Sequence, residues 1–402
     1  MQKDFLFGKN IVLGVTGCIA AYKSAYLIRY LVKRGAEVKV VMSPSATQFI
    51  TPLTLSTLSN NPVVVNMFPE SKSSSTSLNT WHIDLAQWAD LILIAPATVN
   101  TVAKIAYGFA DNALTTVVCA ARSPVVLAPA ADVDMYENPT TKENLAKLES
   151  LGYYIVEAEE GELASGLIGK GRLAELDKII DSVEFVLSGF EKDLKGKKIL
   201  VTAGPTIEDI DPVRFLSNRS SGKMGYAIAK AAFLRGADVT LISGISYEIA
   251  YQEIKKINVR SADEMKKAVD RELKKNDVLI MSAAVADYKP SKISSKKLKK
   301  EKNLTELKIK KTADILSSVK KDNKIIVGFA LETDNEIANA KRKLKEKQLD
   351  MIVLNSLKDK KSGFEFETNK VILIKKTGKA INLPLQSKFQ IANKILSEIL
   401  NS

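Results

Sequence analysis

Histidine is almost absent: His82 is the only one in 402 residues, and Cys18 and Cys119 are the only cysteines. So few imidazole and thiolate ligands argue against a zinc site, and two widely spaced cysteines build no disulfide framework. Both sit among small or apolar neighbours and are expected as buried free thiols. No apolar run approaches the roughly 18–20 residues that a membrane helix needs. The opening "MQKDFLFGKN" lacks the apolar core of a signal peptide. A cytoplasmic chain with no membrane partner is therefore expected.

Lysine is plentiful and unevenly placed. Residues 1–190 carry 15 Lys and Arg against 19 Asp and Glu, whereas the remainder carries 44 against 27, a net +17. An anionic ligand is expected in the second half: nucleic acid, a membrane surface or a polyphosphate. The densest tract, Lys292–Lys311, has no aromatic side chains for base stacking, which argues against nucleic acid. A solvated charged flap and a flap over a triphosphate both remain open, the latter because lysines above strand ends can neutralise developing charge.

The length calls for two domains. Continuous apolar runs alternate with helical patterns: "NIVLGV", "EVKVVM", "DLILIA", "SPVVLA" and "YYIVEA", then "KKILVT", "ADVTLIS", "NDVLIMS", "KIIVGFA", "DMIVLN" and "KVILIK". Such runs suit strands covered on both faces, which predicts two α/β, doubly wound, mostly parallel-sheet (Rossmann-like) domains. The boundary falls in "LSGFEKDLKGKK" (187–198), giving domains 1–190 and 191–402, with no sequence repeat between them. A serine-rich tract (70–80) and a lysine-rich one (289–303) read as mobile loops.

Polar loops follow the strands of the first half at 14–24, 43–47, 95–101 and 129–135. In open parallel sheets ligands bind beyond the carboxyl ends of the strands, so these loops should converge. "GVTG" leading into a helix suits either a tight packing turn or a phosphate site. It is not the dinucleotide fingerprint, and no acidic ribose ligand is evident, so NAD is disfavoured. Ser43, Thr98, Asn100 and Thr101 favour a mononucleotide such as FMN. His82 falls near the start of a helix expected from Thr80, where the imidazole should stay neutral and able to accept a proton. A structural role for it remains equally open.

The stretches "GVTGCIAAYK", "WHIDLAQWADLILIAPATVNT", "GFADNALTT" and "PAADVDM" resemble the flavin-dependent cysteine decarboxylases. The resemblance implies that His82 is an active-site base and that Gly17, Ser43, Thr98, Asn100 and Thr101 hold FMN. It also implies that Asp132 and Met135 meet the substrate. Two positions depart from the family pattern. Asp132 replaces an asparagine, and would repel a substrate carboxylate unless protonated or paired; it could assist His82, act as an acid, or simply hydrogen-bond. Ser165, in the lid-like "GELASGLIGKGRL" (161–173), replaces the cysteine that protonates the enethiolate. Serine is a far weaker acid than a thiol, so either another group delivers the proton or this half stops short of full turnover.

In the second half, "SSGKMG" opens a helix and so offers amides to an anion, but it lacks the Walker pattern, which argues against a P-loop NTPase. Lys343 and Lys347 share a helix face. "AGPTIEDIDPVRFLSNRSSGKMG", "AAVADY", the lysine flap and "GFALET" resemble phosphopantothenate–cysteine ligases, and the whole chain resembles the bifunctional enzymes that join both activities in coenzyme A synthesis. That resemblance implies CTP-dependent ligation of L-cysteine to 4′-phosphopantothenate, then FMN-dependent decarboxylation to 4′-phosphopantetheine.

By the same resemblance, Asn218 meets the acyl-cytidylate, Lys297 stabilises charge, and CTP contacts fall on Met281, Ser282, Ala283, Asp287, Thr312, Ala313, Asp314, Ile315, Phe329, Lys343 and Lys347. Thr312 and Ala313 depart from the family's "NPDI". Mg²⁺ should accompany CTP. Homo-oligomers are implied, with trimer contacts in the flavin half and dimer contacts in the ligase half, building up to a dodecamer. The alternatives are a working ligase with an impaired flavin half, a non-catalytic flavoprotein, and a nucleic-acid-binding protein.

Overall fold

The computed structural model describes residues 5–68, 80–298, 306–332, 334–356, 363 and 365–400. Most of the serine-rich tract (its residues 70–79) and the part of the lysine-rich tract after Leu298 lie outside the described residues. The chain divides into two compact units, Lys3–Gly189 and Phe190–Ser402.

In the first unit, β1 (Asn10–Val15), β2 (Glu37–Met42), β3 (Val63–Val64), β4 (Leu91–Ala97), β5 (Val125–Pro129) and β6 (Tyr154–Ile155) form one sheet, paired throughout in parallel in the order β3-β2-β1-β4-β5-β6. Around it lie α1 (Lys23–Lys33), α2 (Pro52–Ser59), α3 (Trp81–Trp88), α4 (Val99–Ala106), α5 (Ala113–Cys119), α6 (Val133–Glu137), α7 (Pro139–Ser150) and α8 (Leu176–Leu187). The central strands are apolar at nearly every position because both faces are covered. Ile11, Leu13 and Val15 enter the core under α1, α2 and α8. Val12, with Ile92 and Ile94, enters the core under α3, α4, α5 and α7. A hairpin, β7 (Glu159–Glu162) and β8 (Ile168–Arg172), stands apart from the sheet.

The second unit holds an eight-stranded sheet. Its elements enter with β9 (Lys198–Ala203), the small ladder β10 (Ile207–Asp209) and β11 (Phe215–Ser217), then α9 (Lys223–Leu234), β12 (Asp238–Ser243), β13 (Lys255–Asn258) and α10 (Ala262–Glu272). After β14 (Val278–Met281), a second ladder pairs β15 (Tyr288–Pro290) with β16 (Ile309–Lys311). Next come α11 (Ile315–Ser318), β17 (Ile325–Glu332), α12 (Glu336–Glu346), β18 (Met351–Ser356), β19 (Thr368–Lys375), β20 (Ala380–Ser387) and α13 (Lys388–Leu400). The sheet order is β13-β12-β9-β14-β17-β18-β19-β20.

Both sheets belong to α/β units of the expected kind, with one departure. "KVILIK" runs antiparallel to β18, and β20 pairs antiparallel beyond it. β20 escaped the sequence pattern because it is an edge strand: mostly exposed and interrupted by Pro384, which an edge tolerates and a central strand does not.

The cysteine expectation is also corrected. Cys119 is exposed and Cys18 only partly covered. Cys119 ends α5, and the helical period that turns Leu114, Val117 and Val118 inward carries it outward. No helix among the described residues is long and apolar enough to cross a membrane.

Candidate active sites

The polar loops of the first unit do converge, because strand order reverses between β1 and β4 and leaves their carboxyl ends side by side. A run of hydrogen bonds joins them. The Ser43 amide donates to the Val15 carbonyl at 2.9 Å, the Thr16 hydroxyl donates to the Pro96 carbonyl at 2.8 Å, and the Thr98 amide donates back to that hydroxyl at 2.9 Å. The Ala130 amide then reaches the Ala97 carbonyl at 3.0 Å.

Gly17 lies so close to the β2 loop that a Cβ there would meet the Ser45 hydroxyl at 2.5 Å. "GVTG" makes a tight turn against the β2 loop, and it enters a short 3₁₀ turn at Ile19–Tyr22 before α1 instead of passing directly into a helix. Thr98 caps α4 and accepts the Thr101 amide; its hydroxyl also pairs with that of Thr101 at 3.1 Å. Ser43 and Thr101 are buried, Thr98 is half-buried and Asn100 exposed.

His82 lies in the first turn of α3, and Thr80 is the N-cap, as expected. The Asn10 side chain, at the start of β1, donates to the Trp88 carbonyl at 3.1 Å, and the Asn10 amide donates to Asp90 at 2.8 Å. These bonds fix the end of α3 at the amino edge of the sheet, so its first turn points toward the carboxyl edge where the polar loops lie. Trp81 meets the imidazole edge-on at 5.8 Å and anchors the turn by donating to the Met67 carbonyl at 3.1 Å. The Nδ1 of His82 is buried without a hydrogen-bond partner among the described residues. Buried polar atoms are rarely left so, and this one is suited to a group outside the described residues.

Asp132 is the N-cap of α6 but makes no capping bond, and Met135 is exposed. The lid-like stretch is the β7–β8 hairpin, with Ser165 exposed at its tip. Its glycines serve close packing and the turn. The Ala131 amide donates to the Gly171 carbonyl at 3.0 Å, and a Cβ on Gly171 would stand 2.4 Å from the Ala131 carbonyl oxygen, at φ +150. The hairpin base is thereby held on the turn that carries Asp132. Gly171→Ala is expected to lose about 1–3 kcal/mol of stability, read as a lower melting temperature and faster proteolysis at residues 162–168. An unchanged melting temperature would contradict this packing. No hydrogen bond or ring contact links His82 with Asp132 or Ser165 among the described residues.

The second unit has a cavity of about 1000 Å³ lined from the start of α9, from β14 and the loop after it, and from β17, β18 and β19. Asn218, Met281, Ser282, Ala283, Asp287, Thr312, Ala313, Asp314, Ile315, Phe329, Lys343 and Lys347 all line it. Asn218 donates through its amide nitrogen to the Ala284 and Val285 carbonyls at 3.2 and 3.0 Å. The Thr312 hydroxyl donates to the Ala286 carbonyl at 2.6 Å, and its amide donates to the Asp287 carbonyl at 2.9 Å. Thr312 thus ties the "TADI" segment through its side chain to the loop after β14. Lys343 pairs with Glu332 at 2.6 Å and Lys347 with Asp314 at 3.1 Å.

Lys297 is the exception: it is exposed and does not line the cavity. The next residue, Leu298, is held elsewhere, its amide donating to Asp211 and its carbonyl accepting from Arg214.

Lys223, Asn355, Gly363, Asn369 and Lys388 line the cavity and were not singled out from sequence. Asn369 and Lys388 come from β19 and the start of α13, whose local pattern is only that of a strand and an amphipathic helix. Among the described residues no group of three or more His, Cys, Asp or Glu is placed to hold a metal ion.

Comparison with known proteins places the chain in a family. Residues 3–188 match the family described as Flavoprotein, and residues 194–402 match the DNA/pantothenate metabolism flavoprotein C-terminal domain. A cysteine/cysteine sulfinic acid decarboxylase from an unknown prokaryotic organism is 49% identical over 87% of this chain and 99% of its own. The coenzyme A biosynthesis bifunctional protein CoaBC of Bacillus subtilis (strain 168) is 44% identical over 98% of this chain and 97% of its own. A crystal structure of the C-terminal domain of a coenzyme A biosynthesis bifunctional protein CoaBC is 41% identical, covers 51% of this chain and 95% of that one, and superposes with a TM-score of 0.45. With a flavoprotein half followed by a pantothenate-metabolism half, matched end to end, the chain belongs to the family of coenzyme A biosynthesis bifunctional proteins.

Proposed function

We propose that the second unit joins L-cysteine to 4′-phosphopantothenate at the expense of CTP and that the first unit decarboxylates the product to 4′-phosphopantetheine. The observation that carries this reading is the convergence of twelve motif positions, from Asn218 to Lys347, on one cavity. A carboxylate does not acylate an amine at neutral pH without a better leaving group. In the ligase reaction a carboxylate oxygen of 4′-phosphopantothenate attacks the α-phosphorus of CTP, and pyrophosphate leaves. The cysteine amine then attacks the acyl carbon, and CMP leaves. Lys343 and Lys347 supply positive charge for the phosphates, and Mg²⁺ would arrive on the triphosphate. Asn218 has both amide hydrogens directed at backbone carbonyls, which leaves Oδ1 as the acceptor for the incoming amine.

In the first unit, the joined strand ends and the unpartnered Nδ1 of His82 fit FMN and a thiol-bearing substrate. FMN, when bound, supplies the oxidation of the thiol and its later reversal, without which loss of CO₂ would leave an unstabilised carbanion. His82 is the proton acceptor. Gly17, Ser43, Thr98, Asn100 and Thr101 form the FMN cradle. Asp132 and Met135 border the substrate, below the hairpin. This reading places the chain in the cytoplasm as a homo-oligomer. The bifunctional relatives do not favour a ligase with a silent flavin half.

The test incubates the purified protein with CTP, cysteine and 4′-phosphopantothenate and identifies products by mass. 4′-Phosphopantetheine is expected; accumulation of the cysteine adduct alone would overturn the decarboxylase assignment. Ser165→Cys is expected to speed final turnover by roughly tenfold or more, since a positioned acid contributes on the order of 10²–10⁴-fold. An unchanged rate would place the proton donor elsewhere. The 49% identical decarboxylase motivates a second reading, in which free cysteine is the substrate. CO₂ release from cysteine without CTP and 4′-phosphopantothenate would favour it.

A further inference from the structure

Basic side chains crowd α12: Lys341, Arg342, Lys343 and Lys345 lie within it and Lys347 is its C-cap. Ala340 and Leu344 fix how the helix lies by packing into the core. Counting by fours then aligns Asn339, Lys343 and Lys347 on one face. Of the five basic residues only Lys343 and Lys347 line the cavity. A helix C-terminus favours any nearby cation, so the sequence gives no reason to rank one of them above another.

The two cavity lysines have carboxylate partners in different places. Lys347 pairs with Asp314, which itself lines the cavity, whereas Lys343 pairs with Glu332, which does not. Glu332 is the last residue of β17, its backbone opposite Ser356 of β18 and its side chain only 14% exposed. Each of its carboxylate oxygens has a donor. Oε1 accepts from the Lys343 ammonium at 2.6 Å, and Oε2 accepts from the Asn339 side chain at 3.4 Å. The same Asn339 amide donates to the Asp334 carbonyl at 2.9 Å. The carboxylate is thus held by a strand end and by the first turn of the helix, independently of the lysine. Holding a lysine in one rotamer costs conformational freedom, and a partly exposed ion pair returns about as much, so the pair is close to neutral for stability. Its effect is on position. An ammonium carries three N–H donors; Glu332 takes one from outside the cavity lining, and two remain for a ligand inside it.

We propose that Glu332 is a positioning residue of the CTP-dependent reaction, which fixes the Lys343 ammonium at the cavity wall so that its free donors meet a phosphoryl oxygen of CTP. Asn339 supports the carboxylate from the same helix face. Lys347 is not held in this way, because its partner Asp314 shares the cavity with the incoming anion. The inference rests on the ligase reading above, and Glu332 acts through Lys343, without touching substrate.

The test measures KM for CTP and kcat for CMP formation, with cysteine and 4′-phosphopantothenate saturating. It compares the unaltered chain with Glu332→Ala, Lys343→Ala and the double variant. Glu332→Ala is expected to raise KM about tenfold, with kcat within about threefold and the melting temperature unchanged, as for lost binding that ground and transition states share. Lys343→Ala should raise KM at least as far. The double variant should go no further, because a residue that acts only through another adds nothing once that other is gone. Additive losses, or an unchanged KM in either single variant, overturn the proposal.

Should Glu332→Ala fail to fold, Glu332→Gln decides in its place. Glutamine has the same shape and keeps one acceptor oxygen for Lys343 but carries no charge. Its KM for CTP should rise severalfold, less than that of Lys343→Ala, and combining it with Lys343→Ala should add nothing. An unaltered KM, or a loss that adds to that of Lys343→Ala, again overturns the proposal. If the unaltered chain neither binds CTP nor forms CMP, the ligase reading itself fails; normal CMP formation with a KM indifferent to residue 332 removes only the positioning role.

Discussion

Replacing His82 by asparagine abolishes CO₂ release, by about 10²–10⁴-fold, while CMP formation from CTP continues at the rate of the unaltered protein. Asparagine retains a polar atom near the Nδ1 position but cannot take a proton at neutral pH. Because Nδ1 is buried and unpartnered among the described residues, removing the imidazole breaks no internal hydrogen bond. Stability should therefore change little, and the melting temperature provides the control. Carbon dioxide is measured from carboxyl-labelled cysteine, CMP by chromatography, and FMN content by visible absorbance. Loss of both activities in a folded variant would show that the two halves do not work as separate catalysts. Undiminished CO₂ release would remove His82 from the chemistry and leave it a structural residue of α3.

Asp211→Asn is expected to slow the CTP-dependent step by up to about 100-fold, the effect of misplacing a charge by an ångström, and to leave CO₂ release from supplied 4′-phosphopantothenoylcysteine intact. The Asp211 carboxylate is buried and accepts from the Val213 amide at 2.8 Å, from the Arg214 amide and Nε at 2.9 Å each, and from the Leu298 amide at 3.1 Å. Arg214 in turn donates to the Leu298 carbonyl at 2.8 Å. This ion pair grips the chain one residue after Lys297 and so fixes the backbone beside that lysine.

The Arg214 guanidinium holds the Asp211 carboxyl well below the usual carboxylate range. A depressed carboxyl contributes its full stabilisation above the unfolded value, near about 4, and loses it only as pH falls through the folded one. The anchor is thus complete at neutral pH, and Asp211→Asn should remove its share of the acid sensitivity. The readouts are kcat/KM for CTP and the rate of tryptic cleavage within residues 292–311. An unchanged kcat/KM in a folded variant would mean that this anchor does not position the catalytic charge.

Elements whose burial is uniform were legible in the chain. β1, β4 and β9 are apolar at nearly every residue because helices cover both faces, and such runs have no other stable place in an α/β fold. The same holds for sites written in short contiguous motifs: Asn218 in "SNRSSGK", Met281 to Asp287, and Thr312 to Ile315 all reached one cavity. Elements at an edge were not legible. β20 is partly exposed and interrupted by Pro384, so its pattern carries little information. Cys119 misled because apolar neighbours on a helix report the average of two faces, whereas its own direction is set by the helical period.

By itself, then, the sequence determined the two-unit α/β plan, the position of His82 in the first turn of a helix, and the motif loops of both sites, since each follows from local periodicity or from residues adjacent in the chain. Tertiary structure alone decided that β8 rests on the Ala131 turn, that Leu298 is clamped by Asp211 and Arg214, and that Lys388 stands beside Lys223. Those pairs are separated by about 40 to 165 residues. Sequence spacing carries no information about such approaches, which arise only when helices and strands pack to bury their apolar faces.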